Sequence, residues 1–412
     1  MTAESDQPSS LGRKYWRLWS SAGLSNLADG VLQVSLPLIA IGYTQSPTLI
    51  AGLAIAASLP WLIFALQAGA ISDRYDRRLV MLGANFGRAA LVALVAVAVA
   101  LGVANIWLLY VVAFLLGIAE TLYDTAAQSI LPQVVDRTLL PRANGRLYTI
   151  ELAANQFIGP PLGGFLVAAG AALSLATSSV AWLVAAVVLL LLTGSYKTGH
   201  DRSTTIRADI GEGLRFLAHH RVLRAMAALT GLANLGTSAM FAVFVLYAVG
   251  PDSAMGLSEP GFGVLLTAEA VGAFVGTLAA EPLDRLLGRQ LTLIVMLVAG
   301  GLMLAAPAFT TNAGVIAAFF VVGGVTIVMG NVVMVSLRQR VTPDRLLGRV
   351  NSAYRLVAWG TMPVGALLGG LVADAFGLPT LFVAAAIVSM TPLLFMPVLS
   401  NRAMDDAERE NE

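Results

Sequence analysis

The 412-residue chain has no cysteine, and only 12% of its residues are charged. Without cysteine there is neither a disulfide nor a thiolate metal site. Lysine occurs only at positions 14 and 197, in neither case after a glycine. That excludes a phosphate-cradling Gly-Lys-Ser/Thr loop, and with it an ATPase of that kind. Histidine is confined to one polar segment, as His200, His219 and His220, where a solvated loop is the expectation. No Ser/His/Asp set is visible, so an enzyme is not expected, nor is a metal, a cofactor or a nucleic-acid partner. A soluble domain carries about 25% charged residues. Here 57% are hydrophobic and the mean hydropathy is +0.79, which reads as an all-α protein crossing a membrane many times.

A spanning helix needs about 20 apolar residues. Twelve such runs are read at about 16–43, 48–72, 79–101, 105–131, 143–168, 173–194, 221–249, 257–281, 289–308, 313–337, 344–373 and 377–399. Residues 1–15 form a polar tail expected to be disordered, without the apolar core of a signal peptide. Between the sixth and seventh runs, 195–220 is the longest polar stretch. Ile206, Ile210, Leu214 and Leu217 recur there at helical spacing, which predicts an amphipathic helix on the membrane surface. Residues 400–412 are an acidic tail, expected to be disordered from Asp405 onward. All 25 Lys and Arg residues fall on one side of this plan, so both termini are expected in the cytoplasm.

Between the second and third runs lies Gly69-Ala70-Ile71-Ser72-Asp73-Arg74-Tyr75-Asp76-Arg77-Arg78. The link is so short that the two helices form an antiparallel hairpin. The pattern resembles the signature of the major facilitator superfamily, matched by Gly69, Asp73, Arg74, Arg77 and Arg78. Asp76 stands where that signature has Gly. The halves also repeat. Residues 23–30 match 231–238, Asp73-Arg74 matches Asp284-Arg285, and 139–144 match 346–351, at offsets of 207 to 211 residues. This is the pattern of two six-helix bundles in parallel duplication, 16–194 and 221–399, joined by 195–220.

The resemblance implies a substrate site near the bilayer midplane between the halves, and alternating access. A charge at that depth costs on the order of 2.5–3.5 kcal/mol, so ionisable residues there are functional candidates. Asp29 lies in the first span with Asn26 and Gln33 on its face, and Asn234 of the seventh span matches Asn26. Glu120 and Asp124 share a face of the fourth span, extended by Thr121 and Thr125. Two carboxylates one turn apart suit proton uptake, unless Asp124 simply pairs with Arg88 of the third span. Glu269 is isolated in the eighth span, a candidate for proton or cation coupling. Glu151 and Arg355 are expected near the cytoplasmic ends of the fifth and eleventh spans, as a gate pair or a structural ion pair. Tyr123, Trp182, Phe241, Phe244 and Trp359 could stack with a ligand, although packing is the commoner role of aromatics.

Gly159-Pro160-Pro161-Leu162-Gly163-Gly164 is similar to the last part of the superfamily's antiporter motif; Asn155 replaces one upstream glycine. Close helix packing with a bend is the alternative meaning. The fourth-span arginine of many drug/proton antiporters has no equivalent, since Ala113 stands four residues before Gly117. Asp29-Gly30, Pro132 and the twelve-span plan resemble the branch containing macrolide efflux proteins and the enterobactin exporter. That resemblance implies a monomeric exporter of small amphipathic molecules in the bacterial inner membrane. Its partners would be a small-molecule substrate, protons and membrane lipids. Proton-coupled uptake, and a non-transporting sensor or scaffold, remain as alternatives.

Overall fold

In hydrocarbon every backbone N–H and C=O must be satisfied within the chain, which leaves helices for apolar runs of this length. The computed structural model describes residues 10–197 and 206–409. The rest, including His200 and most of the expected amino-terminal tail, lies outside the described residues. So do the side chains of Leu66, Asp73, Asp284, Asp344, Arg345 and 206–210.

The helices are α1 (Gly12–Ala40), α2 (Pro47–Arg74), α3 (Arg77–Ala100), α4 (Ile106–Val134), α5 (Leu140–Leu152), α6 (Gly159–Ala169) and α7 (Ala171–Leu190). They continue as α8 (Ile206–His219), α9 (Arg221–Phe241), α10 (Phe244–Ala248), α11 (Glu259–Leu287) and α12 (Arg289–Phe309). The last four are α13 (Ala313–Val341), α14 (Asp344–Phe376), α15 (Leu378–Met390) and α16 (Asn401–Arg409). Among the described residues, nine helices are long and apolar enough to cross a membrane. The other three expected runs coincide with α1, with α5 and α6, and with α9 and α10. Asn105 and Asn312 each cap a helix, accepting from Leu108 N at 3.0 Å and Val315 N at 3.1 Å. These caps lie at the repeat spacing, at the starts of α4 and α13.

The chain divides into two compact units, Met1–Leu36 with Ile63–Asp201 and Pro37–Leu62 with Arg202–Glu412. In the first, α5 and α6 are separated by a single π-helical turn, Ala153–Ile158. Pro160 and Pro161 lack the N–H that would continue the ladder, and Gly159 N reaches back five residues to Ala154 O. The turn leans on α1. A Cβ on Gly159 would lie 2.6 Å from Gly30 Cα, and one on Gly163 2.6 Å from Val31 O.

In the second unit α9 packs along α14. Thr230 bonds Tyr354 Oη at 2.5 Å, and Asn234 and Ser238 donate to Ala358 O and Met362 O at 2.7 Å each. Next along this seam, Gly365 and Gly369 press against the carbonyls of Leu235 and Ala239. Gly365 and Gly369 repeat Gly159 and Gly163 at an offset of 206. The Gly-x-x-x-Gly spacing is thus a packing device present in both units. The segment 47–62 of α2 packs on α14 through Gly370, which meets Ala51 and Thr48, and through Trp61 against Trp359 at 5.2 Å. Asp374 accepts from Thr48 N and Ser46 Oγ at 3.3 Å.

Two expectations are corrected. The acidic tail is not free from Asp405 onward: Asn401–Arg409 forms α16. Met404 and Ala407 are buried in the second unit's core. Arg289 pairs with Asp405 and, at 2.5 Å, with Glu408, which Arg340 also meets at 3.2 Å. The apolar face of α8 is not left for the membrane surface either. Leu214, Phe216 and Leu217 join that same core, and Glu212 pairs with Arg349.

Between α11 and α13, a Cβ on Gly276 would fall 2.6 Å from Val325 O, whereas one on Gly300 meets nothing within 4 Å. Gly276→Ala is expected to destabilise by about 1–3 kcal/mol through overpacking. Gly300→Ala is expected to be neutral or slightly stabilising. Thermal unfolding of the two detergent-purified variants distinguishes them.

Candidate substrate and proton site

Small residues bring α1 against the π-helical turn, and this sets the direction of Asp29. Gly30 faces Asn155 O and Gly159. Asp29, the preceding residue, turns toward α3 and meets Arg88 there. Nη1 of Arg88 lies 3.3 Å from Oδ1 and 3.4 Å from Oδ2 of Asp29, and 3.4 Å from Ser25 Oγ. The arginine is 1% exposed and the Asp29 side chain 22%. Ser25 Oγ donates to Asn85 Oδ1 at 3.2 Å. The guanidinium carbon lies 5.1 Å from the Tyr123 ring and 5.7 Å from the Trp182 ring. These aromatics are 2% and 1% exposed, so they wall a buried cation rather than wait for a ligand.

The expected alternative partner of Arg88 was Asp124; the ion pair is made with Asp29 instead. Glu120 and Asp124 are half-buried on α4, and both act electrostatically on the same guanidinium. Among the described residues neither makes a hydrogen bond or a close ion pair. Thr121 and Thr125 turn their hydroxyls onto their own helix, to Gly117 O and Thr121 O at 2.7 Å. Nε and Nη2 of Arg88, and Nδ2 of Asn85, are buried without a protein partner. One cation, three carboxylates and unspent donors thus share the middle of the first unit. A cluster of this kind can hold and release a proton, or meet a charged group on a substrate.

The family model described as "Transmembrane secretion effector" matches residues 10–412. The chain belongs to this family of the major facilitator superfamily. It is 28% identical over 403 residues to the multidrug efflux pump Tap of Mycolicibacterium fortuitum, covering 92% of each chain. It is 21% identical over 397 residues to macrolide efflux protein A of Streptococcus pyogenes, covering 94% of this chain and 96% of that one. Among solved structures, a bacterial homologue of the iron transporter ferroportin in an inward-facing state superposes with a TM-score of 0.72 at 18% identity. That alignment covers 94% of this chain and 99% of the other. The nucleoside transporter NupG gives 0.73 at 12% identity over the same shares. These two likenesses bear on the fold. The chain is accordingly a transporter, not an enzyme, and a multi-pass membrane protein.

In this secretion-effector chain the hairpin signature has a clear local logic. Only Tyr75 and Asp76 separate α2 from α3. Asp76 caps α3, accepting from Arg78 N at 3.0 Å, and accepts from Tyr196 N at 2.9 Å. An acceptor side chain therefore occupies the turn where the signature has Gly. Arg77 donates to Ser129 O at 2.6 Å, at the end of α4. Arg78 donates to Leu189 O and Leu190 O at 3.1 and 2.8 Å, at the end of α7, where Arg17 takes Leu191 O. These arginines satisfy the carbonyl ends of two helices. Gly69 has open space, and Arg74 is exposed at the end of α2. In the matched second-unit position Arg285 pairs with Glu281 of its own helix at 2.5 Å.

The remaining candidates are distributed. Asn26 bonds its own helix at Ala22 O, Gln33 is exposed, and Asn234 is committed to Ala358 O. Glu269 is half-buried on α11, with no hydrogen bond or ion pair among the described residues. Glu151 is half-buried near the end of α5. Arg355 is exposed and lies over Trp359 at 4.9 Å. Pro160, Gly163 and Gly164 are buried, and Gly163 lies against Val31 of α1. Arg338 makes a further contact that the sequence does not signal: its Nε donates to Asn351 Oδ1 at 2.7 Å and its guanidinium lies 4.1 Å from the Tyr354 ring. The Arg338–Tyr354 spacing gives no helix-face signal. His219 and His220 serve α8 and the start of α9, through Arg215 O and Leu223 N.

Breaking a buried pair by removing one partner costs about 3–5 kcal/mol. Arg88→Gln should therefore lower the unfolding midpoint strongly. Combining it with Asp29→Asn should recover a large part of the loss. A double-mutant cycle with no coupling energy would show that the two side chains do not act as a pair.

Proposed function

We propose that this chain exports small amphipathic compounds across the bacterial inner membrane by alternating access, taking protons in exchange. The observation that carries this reading is the buried Arg88 cation sharing one site with Asp29, Glu120 and Asp124. With all groups ionised the cluster holds two more negative charges than positive ones. An apolar interior does not sustain such an excess, so protons or a cationic substrate must balance it. A substrate cation leaving as protons arrive keeps the balance, and that is the stoichiometric logic of an antiporter. The same excess, with no lysine in any span, favours neutral or cationic substrates over anions. Family membership, with relatives named for multidrug and macrolide efflux, supports the export direction.

In this reading both termini face the cytoplasm and twelve spans form two repeated bundles. The second unit contributes Glu269, a carboxylate with no counter-cation among the described residues. In the same reading Glu151 and Arg355 act toward the cytoplasmic ends of their helices. The hairpin arginines hold helix ends that must move as units.

The test is efflux of a fluorescent amphipathic cation from inverted or intact vesicles under an imposed pH gradient. Wild type should export in a gradient-dependent manner. Asp124→Asn, Asp29→Asn or Glu269→Gln should lose that dependence, each by at least about tenfold in rate if it removes the coupling group. A wild-type protein that moves no dye overturns the cation-export reading. Export that ignores the gradient in wild type overturns the proton exchange alone.

A further inference from the structure

The cytoplasmic ends of α1 and α5 together form a basic and aromatic surface. Tyr15 Oη donates to Ala143 O at 3.0 Å, and Trp19 Nε1 donates to Arg146 O at 3.1 Å. These bonds set Arg13, Lys14 and Trp16 of α1 beside Arg142 and Arg146 of α5. The Arg146 guanidinium lies 5.5 Å from the Trp16 ring. Trp16 is 44% exposed and Tyr148 of α5 63%. Arg13, Lys14, Arg142 and Arg146 are exposed, and among the described residues none of them meets a carboxylate. The acid just before α5, Asp136, is already spent on Thr138, accepting from its N at 2.9 Å and its Oγ1 at 2.7 Å.

The repeat shows what this surface lacks. Residues 139–144 match 346–351, so Arg142 corresponds to Arg349. In the second unit α8 lies against the start of α14, with Gly213 allowing backbone contact at Arg349 O. Glu212 of α8 pairs with Arg349 there. The fold supplies an anion to one member of the repeated pair, and the described residues supply none to the other.

We propose that an anionic phospholipid headgroup of the cytoplasmic leaflet fills that place. Its phosphate would sit between the guanidinium groups of Arg142 and Arg146, which are one turn apart on one face of α5. Arg13 and Lys14 add positive charge. Trp16 and Tyr148 lie where amphipathic rings settle, at the boundary of headgroup and acyl chain. The proposal rests on the cytoplasmic placement of these helix ends given above and is independent of the transported compound. Charge near a membrane surface acts on anionic lipid with about a fivefold change in affinity per Lys or Arg.

Native mass spectrometry of the full chain, titrated with phosphatidylglycerol or with phosphatidylcholine of the same acyl chains, reads this directly. Wild type should retain phosphatidylglycerol preferentially. Arg142→Gln with Arg146→Gln should reduce that preference by more than about tenfold. The corresponding double Lys variant should keep most of it, and Arg349→Gln should keep all of it. Unfolding midpoints of the same samples show whether each variant is folded; the Lys variant carries the comparison if the Gln variant is not. Equal retention of the two lipids by wild type overturns the proposal. So does a preference that survives the double Gln change. A preference that appears only after residues 2–9 are deleted also overturns it, making Glu4 and Asp6 of the chain itself the occupants.

Discussion

Helix contact at glycine is the constraint on which the arrangement depends. Inside a membrane there is no hydrophobic gain from pressing one apolar helix on another, so association relies on close packing at small residues. Gly30 and Gly159 let α1 touch the π-helical turn backbone to backbone. Gly365 and Gly369 do the same for α9 and α14, and Gly276 and Gly324 for α11 and α13. The first of these contacts has a chemical consequence. With Gly30 fixed against α6, the adjoining Asp29 cannot face the same neighbour, and it meets Arg88 on α3. The dipeptide Asp29-Gly30 thus joins a packing requirement to a charge requirement at consecutive positions.

Arginine is used in two separate ways. Near the helix ends Arg17, Arg77 and Arg78 donate to backbone carbonyls of the last turns of α4 and α7. Such contacts are local and are available wherever a helix stops. In the interior Arg88 answers a carboxylate, among ring faces and with N–H groups left over. That second arrangement is unnecessary for helix formation and expensive to bury. Arg88 lies in the middle of α3, where the end-capping role is impossible, and this makes the cluster a candidate site rather than a cap. The second unit resolves its charges differently, as Arg289 and Arg340 turn to the carboxylates of α16.

Much of this was readable from sequence because the informative residues were consecutive or regularly spaced. The hairpin is legible in ten residues, and α8 in the spacing of Leu214 and Leu217. What periodicity could not give was a partner. It placed Asp29, Glu120, Asp124 and Arg88 at similar depths, but a helix face carries no information on which neighbour it meets. Asp29 and Arg88 are paired through a turn at Gly159, far from both in sequence. The helix at the acidic tail is illegible for the same reason: Asp405 and Glu408 look solvated until Arg289 is placed beside them. Gly365 and Gly369 were visible at the repeat offset. Without the prolines of the first copy they did not stand out from a glycine-rich span.

The comparison of the two copies is the more useful guide to what each copy does. Glycine spacing recurs in both, so it reports packing and cannot by itself indicate antiport. The Asn caps of α4 and α13 recur too, and they report helix starts. What fails to recur is Arg88 with its three carboxylates in the first unit, and the isolated Glu269 in the second. Duplication begins with identical halves, so features kept in both answer needs common to both, such as folding in lipid. Features held by one half alone answer a need of the pair as a whole. A transport cycle is such a need. Under the proposed reading the Arg88 cluster and Glu269, each held by one unit alone, are therefore the positions to test, rather than the repeated glycines and caps.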